Sequence, residues 1–247
     1  MEPKTQLSKD EQGREVDSTV YKSYVGGLRY LVHTRPDIAF SVGLVSRYME
    51  RPTTLHMNTV KRILRYIKGT VDYGLVYAKG TGNYLLSGYS DSDLAGNIKD
   101  RKSTSGVVFY LNESLITWVS QKQCCVALSS CEAEFMAATV AASQGVWLSN
   151  LLSQITNQKH RPVVIYLDNK SAIDLTKNPL FHGRSKYIDI RYHFICDCVE
   201  RGEIVIKHIC SREQCADILT KPISTVKFER MRDLLGIRNL KYVVSGV

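Results

Sequence analysis

Four acidic side chains of this 247-residue chain, Asp91, Glu134, Asp168 and Asp217, sit where stretches of regular sequence end or meet. Carboxylates without histidine or cysteine beside them suit magnesium, a hard cation that takes oxygen ligands and keeps several waters. Two such ions about 3.5–4 Å apart activate a water and stabilise a departing oxyanion, which phosphodiester hydrolysis needs at neutral pH. Each acid also has a plainer role. Asp91 closes the run YLLSGYSD and can form a turn. Asp93 lies two residues on and shares its face if the strand continues, so this run alone does not choose between them. In SSCEAEF, Ser129 and Glu132 have capping-box spacing, which gives Glu132 a job at a helix start. Glu134 then points about 200° away around the helix, available for ligation or simply at the surface. Asp168 ends VVIYLD and can cap the helix that follows. Asp217 stands four residues before Lys221, and a helical ion pair contributes only about 0.2–0.5 kcal/mol. Spacing does not show that the four converge.

Other residues carry weaker signals. His208 is a proton-transfer candidate, with a satisfied strand histidine as the plainer reading. Arg101, Lys102 and Lys122 can reach phosphate or merely keep turns soluble. A zinc site from His193, Cys196 and either Cys210 or Cys215 has no standard spacing behind it.

The elements that must position these residues change character along the chain. Residues 1–18 read as a flexible leader, and 19–73 as a mainly helical block. Val25, Leu28, Leu31 and Val32 recur at helical spacing, Pro36 opens a second helix and Pro52 ends it. A third helix at 56–68 carries Lys61, Arg62, Arg65 and Lys68 around an apolar face, either a solvated surface or one that tracks phosphates. Beyond Gly69, β-type runs at 73–77, 84–91, 106–111 and 115–120 alternate with turn residues. An Ala-rich helix spans 129–155, followed by a strand at 163–168 and a helix at 169–177. A loop with Pro179 and Gly183 leads to a helix at 188–201, a strand at 203–209 and helices at 213–220 and 226–235. This order predicts an α/β fold, a mixed sheet with helices packed on it.

The formal charge of +9 and pI near 9.2 favour an anionic partner such as nucleic acid or an acidic membrane surface. No run approaches the roughly 18 apolar residues of a membrane span. The polar N-terminus lacks the apolar core of a signal peptide, so an intracellular, non-secreted protein is expected. Seven cysteines with no CxxC spacing read as reduced packing thiols.

The strings around the acids resemble the ribonuclease H region of copia-type retrotransposon Pol polyproteins: YSDSDLAG (89–96), DRKSTSG (100–106), ALSSCEAEFMA (127–137), YLDNKSAI (166–173), HGRSKYIDIRYHF (182–194) and CADILTKP (215–222). Upstream, VGGLRYLVHTRPDIAFSV (25–42) and VKRILRYIKGT (60–70) are similar to the segment that joins reverse transcriptase to ribonuclease H. The resemblance implies an RNase H-like mixed five-stranded sheet flanked by helices and preceded by a small helical segment. It divides the chain into a leader (1–18), a reverse-transcriptase connection remnant (19–78), the RNase H-like domain (79–224) and a C-terminal helix and tail (225–247). It places the family's four metal-binding acids on Asp91, Glu134, Asp168 and Asp217. The implied activity is Mg²⁺-dependent cleavage of the RNA strand of RNA/DNA hybrids, with Mn²⁺ as a substitute ion, inside a larger Pol polyprotein that also holds reverse transcriptase and integrase. The implied location is cytoplasmic, within a virus-like particle, or nuclear. The alternative is an inert remnant or a nucleic-acid-binding module. Leu94, Cys131 and Tyr187 depart from the commoner Trp, Thr and His, and Cys196 and Cys198 stand where charged residues are common. An integrase of related fold carries its glutamate last, whereas here it comes second. No YxDD pair supports polymerase activity.

Overall fold

The structure, a computed structural model, describes residues 7–80, 82, 84–158, 161–177 and 186–243. In chain order its elements are α1 (Ser18–Leu31), α2 (Ala39–Val45), α3 (Thr54–Gly69), β1 (Tyr73–Leu75), β2 (Leu86–Ser92), β3 (Thr104–Leu111), β4 (Ser114–Lys122), α4 (Ser130–Thr156), β5 (Val163–Leu167), α5 (Lys170–Lys177), α6 (Lys186–Glu200), β6 (Ile204–His208), α7 (Thr225–Leu234) and β7 (Ile237–Asn239), with a short α8 (Leu240–Val243) at the end. Single 3₁₀ turns lie at Pro36–Ile38, Ser46–Tyr48 and Cys215–Leu219. Chain contacts divide the protein into two units, Met1–Val76 with Lys221–Val247, and Tyr77–Thr220. The loop containing Pro179 and Gly183 lies outside the described residues. No helix among the described residues is long and apolar enough to cross a membrane.

In the first unit, Asp17 caps α1 by accepting from the amides of Thr19 and Val20, and Tyr21, Val25 and Leu28 turn one face inward. They pack with Val42, Val45, Val60 and Ile63 of α2 and α3. The cationic residues of α3, Lys61, Arg62, Arg65 and Lys68, all lie on its exposed face. Thr53 and His56 form a reciprocal cap at the start of α3. The flexible leader expected for residues 1–18 needs correcting over its described part. Leu7 is buried in this core, Ser8 O meets His56 Nε2 at 2.8 Å, and Glu15 bridges to Thr53. The polar composition of the segment hid one apolar anchor and a set of backbone hydrogen bonds. The C-terminal segment carries a helix, α7, and the strand that follows it, β7, pairs antiparallel with β1.

The second unit holds a five-stranded sheet in the order β4-β3-β2-β5-β6. Pairings β2–β3 and β3–β4 are antiparallel, whereas β2–β5 and β5–β6 are parallel. This is the RNase H-like mixed sheet that the resemblance implies. The core gathers Val107 and Phe109 of β3, Val163, Ile165 and Leu167 of β5, and Phe135, Ala138, Ala141 and Ala142 of α4, with Ile195 and Cys198 of α6. Alanines let α4 lie close on the sheet; a Cβ at Gly145 would stand 3.3 Å from Val163. Seven of the eight residues of β3 are buried, because α4 covers one face and the Cys215–Leu219 turn the other. The helix expected at 213–220 is only that 3₁₀ turn, capped by the Gln214 side chain and stopped ahead of Pro222.

Between α1 and α2, Arg35 forms a fork onto both carboxylate oxygens of Asp37 and also reaches the backbone and hydroxyl oxygens of Thr70. Tyr66 donates to the same carboxylate at 2.6 Å. Burial, together with the negative charge of Asp37, pushes the Tyr66 phenol up to about 12. Removing the cation leaves Asp37 buried and uncompensated, so Arg35→Met should cost about 3–5 kcal/mol. Hydrogen exchange at the amides of α1 to α3 should accelerate accordingly, while the amides of β2 to β5 stay protected. Unchanged exchange in α1 to α3 would show that the pair is not needed there.

Candidate metal centre

Parallel pairing of β2 with β5 brings the C-terminal ends of these two neighbours to one edge of the sheet. Asp91 lies near the end of β2, and Asp168 immediately follows Leu167, the last residue of β5. Crevices outside the carboxyl ends of strands are where open α/β sheets hold ligands. Glu134 stands in the second turn of α4, whose first residues begin over the same edge. One carboxylate oxygen from each of Asp91, Glu134 and Asp168 lies within 4.8 Å of the others. Asp91 is 1% exposed and Glu134 9%.

Each acid has a neighbour that sets its orientation. The Thr220 hydroxyl donates to Asp91 Oδ2, Asn169 Nδ2 donates to Glu134 Oε1 at 3.1 Å, and Ser211 Oγ donates to Asp168 Oδ2 at 2.9 Å. Outer partners of this kind hold ligand lone pairs in place. Sequence reasoning missed all three. A signal existed for Asn169, because the amide of Ala172 donates to its Oδ1, the usual N-cap spacing. Asn169 therefore takes the capping role that the sequence offered to Asp168. Thr220 and Ser211 come from distant sequence and carried no local sign.

The structure also decides between Asp91 and Asp93, which the sequence left open, and bears out the separation of Glu132 from Glu134 that the capping pattern gave. Asp93 folds back on its own loop, accepting from the Thr104 amide, and a Cβ on Gly96 would overlap its carboxylate. Asp91 is thus the member of the pair that joins the cluster. Ser129 caps α4 by accepting from the Glu132 amide, and Glu132 Oε2 accepts from Leu128 N at 3.0 Å. That is a capping job for Glu132, one residue earlier than the standard box.

Two further residues hold the cluster's supports together. Gly106 faces Asp91 in register on β3. A Cβ there would come within 2.8 Å of the Ala216 carbonyl and 2.6 Å of Thr220. Only glycine lets the segment that carries Thr220 lie against the sheet. Buried Gln123 places Nε2 2.9–3.1 Å from Ser92 Oγ, Ser105 Oγ and the Ala133 carbonyl. It thereby ties the residue after Asp91 to the residue before Glu134.

The remaining expected residues stand elsewhere. Asp217 is buried in the Cys215–Leu219 turn and is not among the three acids that gather. It is linked to them through Thr220, whose hydroxyl also lies 3.1 Å from the Asp217 carbonyl. His208 is exposed at the end of β6, opposite Leu167 in register. Arg101 is exposed at φ +56° in a tight turn, and Lys102 is half-buried beside it. Lys122 is paired with Asp100. Burial pushes the Asp100 carboxyl up, but hydrogen bonds from Lys122 and the Lys102 backbone hold it below its ordinary value.

Three carboxylates this close repel one another. At an effective dielectric of about 20, two unit charges about 4.8 Å apart repel by roughly 3–4 kcal/mol. The hydrogen bonds from Thr220, Asn169 and Ser211 offset part of that, and a divalent cation would offset more. The donor set is all oxygen, converges from three elements and lies at a sheet edge, which fits magnesium or manganese.

No protein-family model matches the chain. The Pol polyprotein of transposon RE2 from Arabidopsis thaliana is 41% identical over 231 residues, covering 94% of this chain and 16% of that protein. The chain thus spans about one sixth of the length of that relative. A secreted RxLR effector protein of Plasmopara viticola is 46% identical over 130 residues, 52% of this chain and 91% of that protein. Among solved structures, the ribonuclease H1 named LC11, isolated from compost, aligns with a TM-score of 0.42 at 16% identity, covering 55% of this chain and 92% of that one. At that level of likeness the fold rests on the strand order and pairing described above.

Without divalent cation, Asp168→Asn should melt higher than the parent protein, because one of three crowded charges is gone. With saturating MgCl₂ the parent should gain stability, about 2.7 kcal/mol at 100 times the dissociation constant, and the variant should not. A melting temperature indifferent to both changes would remove the cation site. Gly106→Ala should lower stability to urea by about 1–3 kcal/mol, read from tryptophan fluorescence, and should diminish the Mg²⁺ response. A variant as stable and as responsive as the parent would show that the close approach of residues 216–220 is not required.

Proposed function

The chain belongs to the Pol polyproteins of copia-type retrotransposons, and from that membership we propose that residues 77–220 are the ribonuclease H module, a divalent-metal-dependent endonuclease acting on the RNA strand of RNA/DNA hybrids. The observation that carries this reading is the gathering of Asp91, Glu134 and Asp168 at one sheet edge. Residues 7–76 with 221–243 are then the segment that connects it to reverse transcriptase. The chain covers about 16% of such a relative, so reverse transcriptase and integrase would lie in the rest of the polyprotein.

In this reading Asp91, Glu134 and Asp168 hold Mg²⁺, and Asp217, on the turn whose Thr220 fixes Asp91, is the fourth acid. Bound there, a pair of ions supplies an activated water and a charge clamp for the leaving 3′ oxygen. Thr220, Asn169 and Ser211 keep the ligating oxygens aimed, so little reorganisation is left for the moment of reaction. His208, exposed at the same sheet edge, is the candidate for carrying a proton to or from solvent. Arg101 and Lys102 meet backbone phosphates, and Lys122 steadies their loop through Asp100. Ribose 2′-hydroxyls distinguish the RNA strand, so sequence preference should be weak.

A gel assay on a hybrid with a labelled RNA strand tests the reading. The folded protein should cleave with Mg²⁺ or Mn²⁺ and not with EDTA. Asp91→Asn and Asp168→Asn should abolish cleavage while still binding hybrid, with an affinity that falls steeply as salt rises. Binding without cleavage by the folded parent under both ions would replace this reading with that of a nucleic-acid-binding module.

A further inference from the structure

Three sulfur atoms lie together beside the start of α4. Cys125 Sγ is 4.0 Å from Met136 Sδ, and Cys124, the preceding residue of the chain, lies near enough to act on the Cys125 thiol. All seven cysteines are thiols, so no disulfide competes for these atoms. Met136 is buried, Cys125 half-buried and Cys124 exposed, so the three side chains run from the interior to the surface. We propose that Cys124, Cys125 and Met136 form a three-sulfur site for a soft monovalent cation of the copper(I) class.

The spacing suits that chemistry. Metal–sulfur bonds of about 2.3 Å set at about 120° place two sulfurs about 4.0 Å apart, which is the Cys125–Met136 separation. Thiolate and thioether donors select copper(I), whereas the carboxylate cluster nearby selects hard ions. On binding, each thiol gives its proton to solvent and two sulfur–metal bonds form, with the thioether as a neutral third ligand. No electron is transferred. Two thiolates around one monovalent ion leave a net charge of −1, and the Arg191 guanidinium stands 4.0 Å from Cys124 Sγ to offset it. Glu132 acts on the Cys125 thiol against the thiolate and Arg191 acts in its favour, while the Leu128 amide donates to Glu132 Oε2 and disperses part of that acid's charge. The site makes no use of the proposed nuclease activity.

The test is a titration of the full, reduced chain with the copper(I)–bicinchoninate complex under anaerobic conditions, read by loss of the chelator's colour. One copper should be withdrawn per chain. Cys124→Ser and Cys125→Ser should each abolish that tight capture. Met136→Leu, which keeps the volume and removes the sulfur, should weaken it by about tenfold or more, since a lost ligand costs no less than a lost outer partner. Cys210→Ser, Asp168→Asn and excess Mg²⁺ should leave it unchanged. A melting curve on each variant checks its fold, and Cys124→Ser, at an exposed position, keeps the test decisive if Met136→Leu unfolds. Capture that survives Cys124→Ser, is lost with Cys210→Ser, or is the same in a folded Met136→Leu overturns the proposal.

Discussion

Like charges held close together are the constraint around which the second unit is arranged. Asp91, Glu134 and Asp168 cannot sit within a few ångströms of one another unless the chain holds them there against their mutual repulsion. The packing of α4 on β3 and β5 supplies the force. Phe135, Ala138, Ala141 and Ala142 are fully or almost fully buried against that sheet, and Glu134 travels with them. Parallel pairing of β2 with β5 fixes the other two acids at matching heights. The hydrophobic core thus keeps three carboxylates in a geometry that an added positive charge would stabilise.

Orientation is handled separately from position. Thr220, Asn169 and Ser211 each contribute one donor to one acid. They come from three segments, so no single local motion can release all three. Gln123 adds a brace between β2, β3 and α4, and the missing side chain of Gly106 lets the turn that carries Thr220 come close enough to reach. These residues carry no charge. Their effect is to limit the number of arrangements the charged residues can adopt.

Periodicity made most of the fold legible before any coordinates. The helices of the first unit, the long Ala-rich α4 and the order of strands and helices all follow from where apolar residues recur. The capping pattern at Ser129 also separated Glu132 from Glu134, as the structure bears out. Other features stayed hidden because they depend on partners distant in sequence. Nothing near Asp91 or Asp93 says which turns back on its own loop; the Thr104 amide decides it. The polar leader gave no sign that Leu7 would be buried, and a seemingly helical 213–220 became a single turn wedged against β3. Convergence of the acids is likewise a property of the parallel pairing, which no window of sequence contains.

The antiparallel ladder between β1 and β7 joins, within one unit, the segments that precede and follow the second unit in sequence. All of the second unit is therefore threaded between two halves of the first. During synthesis, α1 to α3 leave the ribosome long before the strand that completes their unit exists. The second unit has all its strands contiguous and can close on its own schedule. The first must wait with an unpaired edge, β1, exposed to any passing strand. Maturation of this protein thus runs from the middle outward, and the longest-range pairing in the molecule is the last that can form.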